Sequence, residues 1–197
     1  MASSAIYRYF KSRDELLTAL IIEAYDALGE RAEAAAAGDG SARERWLATC
    51  RAIRRWALEH PHQYALLFGT PVPGYAAPET TTESGTRASR ALLGILDEAW
   101  RTGALRPVDA PVVPEILERD LIEIGAFVGY GGPTTNLLAA LAAWSQMYGL
   151  ITFELFGQTR GMTADDDVLF VATVELMAET VGFVVGEPST HESPPPK

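Results

Sequence analysis

The chain has 197 residues, 48% of them apolar and 21% charged, enough for one globular core or for a small domain joined to a larger one. A single cysteine excludes an internal disulfide framework and fits a reducing cytoplasm. The N-terminus has no charged-then-apolar leader pattern, and the apolar runs near the C-terminus are broken by Glu, Gln and Asp, which argues against a membrane span.

The net charge of −10 disfavours a nucleic-acid partner at first sight, but its distribution is uneven. Residues 1–13 carry Arg8, Lys11 and Arg13 and no acid. Residues 1–60 hold nine bases and nine acids, so the whole excess lies in residues 61–197. A small basic tip on an acidic body can bind phosphate locally while the body stays off it.

In chain order, Ser12 with Glu15 reads as a helix start, the hydroxyl accepting a free N–H and the carboxylate reaching back. Leu16, Leu17, Leu20, Ile21, Ala24 and Leu28 follow as one apolar stripe, up to the break at Gly38-Asp39-Gly40. Ser41 can cap a second helix, with Trp46, Cys50, Ile53 and Ala57 inward and Pro61 closing it. A short helix is expected over 62–68 and a Pro- and Gly-containing loop over 70–85. A helix over 86–102 turns Leu92, Ile95, Leu96, Ala99 and Trp100 inward, and another follows the first-turn Pro114 to end near Gly129.

Two further helices are expected over 134–157 and 164–185, each with two apolar stripes. In the first, Leu137, Leu141, Trp144, Tyr148, Ile151 and Leu155 form one, and Leu138, Ala142 and Leu150 a second. In the other helix, Leu169, Ala172, Leu176 and Phe183 face one way; Val171, Val174, Ala178, Val181 and Val185 face another. A helix apolar on two sides is buried on both, and in a chain this short the second side meets another subunit, an internal core position being the alternative. No stretch alternates as a strand does. The pattern predicts an all-α protein with a polar, Pro-rich, disordered tail at 187–197.

The opening stretch "ASSAIYRYFKSRDELL" (2–17) carries the most specific pattern: Ile6, Tyr7, Arg8, Tyr9, Phe10, then Lys11-Ser12-Arg13 opening a capped helix. It resembles the recognition helix, and the start of the helix after it, in the tetracycline-repressor (TetR) family of bacterial regulators. "AWSQMYGLITFELFG" (143–157) is similar to that family's penultimate helix, and "HPHQYALLF" (60–68) to a turn found in many members. The resemblance implies a partial DNA-binding head at 1–35, made of the recognition and connecting helices, and a helical ligand-binding and dimerisation domain at 36–186.

On a helix, Ile6 and Phe10 face inward, while Ser3, Ser4, Tyr7 and Arg8 fall on the side that could enter a major groove. Ser hydroxyls can meet base edges or phosphates, and Tyr or Arg can bond phosphate oxygens. Arg13 stands where the family usually has a phosphate-contacting lysine. Taken without the resemblance, the same residues make a short amphipathic helix with solvated polar groups. The family's head has three helices, and the first two have no counterpart ahead of residue 2. A start placed too late or a shortened chain is expected, a headless regulator being the alternative, and the chain as it stands is expected to bind operator DNA poorly.

No catalytic set stands out, so an enzyme is not expected, and neither a cofactor nor a metal. His60 and His62 span a helix end rather than a strand, Cys50 lies on an apolar stripe, and Asp165-Asp166-Asp167 open a helix at its positive end. Aromatics on several helices (Trp46, Tyr64, Phe68, Trp100, Phe127 and Trp144) could bound a ligand cavity or simply fill the core. The sequence therefore predicts a cytoplasmic, homodimeric, DNA-binding repressor released by a small apolar effector. The rival is a non-DNA-binding helical dimer that binds a ligand or a protein partner.

Overall fold

The computed structural model describes residues 9–109 and 112–184 of the chain. Ser3, Ser4, Tyr7, Arg8 and the tail at 187–197 lie outside the described residues. The described residues form seven α-helices: α1 (Arg13–Ala36), α2 (Ala42–Glu59), α3 (Pro61–Phe68), α4 (Thr82–Thr102), α5 (Glu115–Val128), α6 (Thr134–Leu155) and α7 (Asp166–Val181). A one-turn 3-10 helix, Glu79–Thr81, leads into α4, and the architecture is all-α.

The helix starts follow their caps. Ser12 Oγ accepts the N–H of Glu15, and the Glu15 carboxylate reaches past Ser12 to the N–H of Lys11. Ser41 and Glu44 form the complete reciprocal box at the head of α2. Asp165 caps α7, accepting from Asp167 and Val168. Pro61 ends α2 and begins α3: His60 before it leaves the helical region (φ −129°, ψ 57°), in keeping with the bias against helix ahead of proline, and Pro61 fills the first turn of the next helix. The His60 ring stacks on Trp56 at 5.5 Å, while His62 is exposed.

α4 begins four residues earlier than the sequence pattern suggested, because Gly85 is a packing residue and not a breaker. A Cβ there would sit 3.5 Å from the Tyr25 ring of α1. Gly29 works the same way from the other helix: its Cβ would lie 2.7 Å from Arg87 Cβ, so only glycine lets α1 and α4 approach this closely. Arg87 donates to Asp26 and, through two nitrogens, to Glu33, both on α1. The inward stripe of α1 is Ile21, Ala24, Leu28 and Ala32, so α1 is built into the core, whereas Leu20, expected inward, is exposed one step off that line.

α7 packs on α6 and α2 and buries Phe170, Val174, Met177, Ala178 and Val181. Of its two expected stripes, the one with Val174, Ala178 and Val181 is this chain's own core; of the other, Ala172 and Leu176 are exposed and Leu169 is half-buried, while Phe183, expected with them, is buried. The seam of α6 is rotated from the expected line to Leu137, Ala140, Ala143, Met147 and Ile151. Ala140 and Ala143 are buried in this seam while the larger Trp144 beside them is partly exposed, an order that hydropathy alone did not give.

Two polar devices close the bundle. Arg54 of α2 donates to both carboxylate oxygens of Glu154 at the end of α6 and to Asp167 at the start of α7, with its guanidinium over the Phe170 ring. Asn136, fully buried in α6, donates to the carbonyls of Arg106 and Val181 and ties the segment after α4 to the end of α7. Gly182, at φ +102°, permits this: a Cβ would lie 2.5 Å from the Arg106 carbonyl oxygen.

Tyr130, between α5 and α6, donates its hydroxyl to the Pro133 carbonyl. Burial, reinforced by the negative charge of Asp97, pushes its pKa up to about 12. A raised folded-state pKa means stability that is complete below about pH 10 and lost as pH rises toward about 12. We predict that this loss, about 1–2 kcal/mol, is absent in Tyr130→Phe. Denaturant melts at pH 9, about one unit below that window, and at about pH 11.5, near its upper end, check it.

Candidate functional site

Three helices each turn one stripe toward a common space. α4 presents Ser89, Leu92, Leu93 and Leu96; α5 presents Ile124, Phe127 and Val128; α6 presents Ala140, Leu141, Trp144 and Met147. These spacings of three, four and seven are one face of an α-helix. Trp46 of α2 closes the far wall. The enclosed cavity is about 270 Å³, just under the ~300 Å³ lower end of typical small-molecule sites.

The lining is almost wholly apolar. The polar side-chain atoms it offers are the Ser89 hydroxyl and the indole N–H groups of Trp46 and Trp144. No lining residue is charged. The cavity meets solvent beside Phe127, 57% exposed, and Trp144, 40% exposed. Arg90, next to Ser89 on α4, stacks over the Phe127 ring with its Cζ 4.8 Å from the ring centroid.

Of the six aromatics read from the sequence, the structure brings Trp46, Phe127 and Trp144 together around this cavity. Tyr64, Phe68 and Trp100 do not line it. Tyr64 and Phe68 sit on α3 and pack one turn further along α6, where Phe68 meets Tyr148 at 4.6 Å. There the Tyr64 hydroxyl meets Thr152 Oγ1 and the Tyr148 carbonyl. Burial raises the pKa of both Tyr64 and Tyr148, so this cluster stays uncharged. Trp100 lies one turn past Leu96, beyond the cavity's end, half-buried against the core. Aromatic residue type marked large side chains but not direction. The other nine lining residues, among them Ser89, Leu92, Leu93, Ile124, Leu141 and Met147, were missed from sequence; the one signal, on α4 alone, was a serine inside its apolar stripe.

At the other end of the molecule, Lys11 and Arg13 are exposed at the start of α1, with Tyr9 80% exposed beside them. Cys50 is fully buried, and burial raises its thiol pKa, so it is an unreactive core residue. Among the described residues no group of three or more His, Cys, Asp or Glu side chains could hold a metal ion, and no helix is long and apolar enough to cross a membrane.

Comparison with known proteins places this architecture. Residues 46–177 match the family described as a tetracyclin repressor-like C-terminal domain. Two relatives, the HTH-type transcriptional regulators Rv1816 of Mycobacterium tuberculosis (strain ATCC 25618 / H37Rv) and Mb1846 of Mycobacterium bovis, are each 36% identical over 183 residues, covering 90% of this chain and 77% of their own length. Among solved structures, the regulatory protein SCO4313 superposes with a TM-score of 0.69 at 33% identity, covering 91% of this chain and 80% of that one. A TetR family transcription regulator from Marinobacter aquaeolei VT8 shares the fold, with a TM-score of 0.59 at 18% identity over 92% of this chain and 78% of that one.

Proposed function

The chain belongs to the TetR family of transcriptional regulators, and from that premise we propose that it is a homodimeric repressor released from DNA by a small apolar molecule in the α4–α5–α6 cavity. The cavity carries the reading: an enclosed, uncharged space with two partly exposed aromatic side chains at its opening is built to desolvate a small apolar body. In this reading residues 1–35 belong to the DNA-reading head and 36–186 to the effector-binding and dimerisation domain, the protein working in the cytoplasm. Ser3 and Ser4 meet base edges, and Tyr7, Arg8, Lys11 and Arg13 meet phosphates. The second copy docks on the outward side of α6 and α7, where Ala142, Ser145 and Gly149 are small and Phe153, Val168 and Leu176 are exposed apolar residues.

Repression and release need a ligand with different affinities for DNA-competent and DNA-incompetent spacings of the two heads. The test is a mobility shift on the intergenic DNA beside the gene, using the product of the complete reading frame at several salt concentrations. Binding should fall steeply with salt. In Arg13→Ala the slope of log affinity against log salt should become shallower by about one unit for each phosphate that the arginine no longer neutralises. A change at Ser3 or Ser4 should instead alter sequence preference. Absence of any shift, with or without candidate effectors, would favour a helical dimer that does not bind DNA.

A further inference from the structure

We propose that the effector is a compact monoanion, with an apolar or aromatic body inside the cavity and an acid group at the mouth held by Arg90. This rests on the cavity reading above and adds the headgroup to it. Inside, no side chain can compensate a charge, so the enclosed body must be neutral. At the mouth the situation reverses. Among the described residues seven arginines pair with a carboxylate, whereas Arg90, like Arg13, Arg55, Arg106, Arg119 and Arg160, does not, and Arg90 lies over Phe127, a side chain that lines the cavity. Its charge is not consumed by the fold.

The stacking geometry fits a receptor. With its Cζ 4.8 Å over the Phe127 ring and no ion pair, the Arg90 guanidinium keeps N–H donors that can meet a carboxylate with two parallel hydrogen bonds. Phe127 links the two parts, since one side chain both lines the cavity and supports the cation. Glu123, one turn before Phe127 on α5, is exposed, and among the described residues no carboxylate pairs with Arg90. In a chain of net charge −10, an anion is drawn only where a local cation offsets the general repulsion, and a cationic effector would meet Arg90 as a like charge.

The test titrates 4-phenylbutyrate and its uncharged counterpart, 4-phenylbutanamide, against tryptophan fluorescence of the wild type, Arg90→Gln, Arg90→Lys and Leu93→Trp. Trp46 and Trp144 in the wall report occupancy directly. The wild type should prefer the acid by about fivefold, the range of a partly exposed charge pair. Arg90→Gln should erase that preference without changing amide affinity, Arg90→Lys should restore part of it, and added salt should weaken only the acid. Leu93→Trp should fill the cavity and abolish both probes. Equal affinity for acid and amide in the wild type, or a preference that survives Arg90→Gln, overturns the headgroup assignment and leaves the cavity reading standing if Leu93→Trp still blocks binding. Failure of both probes on the wild type, or unchanged binding in Leu93→Trp, overturns the cavity reading and this assignment with it.

Discussion

Ala178→Arg should leave no folded protein, whereas Leu176→Arg should give a folded monomer. The two positions are two residues apart on α7 but face opposite worlds. Ala178 is fully buried among the helices of its own chain, and Leu176 is 59% exposed. An arginine at Ala178 has no carboxylate to meet and no room to extend, and an unpaired buried charge costs more than ~4 kcal/mol, most of the margin of an ordinary domain. At Leu176 the same side chain is solvated in the monomer and destroys only an apolar contact between copies. Circular dichroism should separate the first variant from the wild type, and sedimentation velocity the second. A Leu176→Arg protein that sediments as a dimer would place the interface elsewhere.

Arg54→Met should destabilise the chain by about 3 kcal/mol, a fall in melting temperature of roughly 6–12 °C at this size. The cost comes from what remains. Glu154 has a side chain only 13% exposed, and its two oxygens lose both donors at once, while Asp167, 71% exposed, keeps its water. Arg54→Met with Glu154→Leu should therefore recover most of the loss, since an apolar pair of similar volume replaces the ion pair without leaving a charge behind. Asp167→Asn alone should cost less than about 1 kcal/mol. Thermal melts of the three variants decide it; a double variant as unstable as Arg54→Met would mean that the guanidinium's packing on Phe170 matters more than the pair.

The helices were legible because their punctuation is local. Ser41 with Glu44, Pro61, Pro114 and Gly129 act within one turn of where they stand, and each boundary they mark falls within a residue or two of the observed one. Pro114 itself sits at the cap position just before the helix rather than in its first turn. Direction around a helix was harder. Along α6 and α7 nearly every position is apolar, so hydropathy could not say which stripe met the chain's own core, and Ala178 and Leu176 were read as equivalent candidates for the outer face. Residue size did not decide it either: Ala140 and Ala143 are buried, whereas a Cβ at Gly149 would meet only open space. The cavity was half legible for the same reason. Trp46, Phe127 and Trp144 were marked by residue type, but the stripe of Ser89, Leu92, Leu93 and Leu96 becomes a wall only when α5 and α6 face it. Gly85 misled as a loop residue because its partner, Tyr25, lies sixty residues away.

The fork of Arg87 between Asp26 and Glu33 has a mechanical consequence. Its two anchors are seven residues apart on α1, so the guanidinium bridges two turns, and Gly29 between them seats the arginine stem in a notch. A peg held in this way forbids gliding: moving α1 along α4 by one turn, about 5.4 Å, would part Arg87 from both carboxylates and drive its Cβ out of the notch.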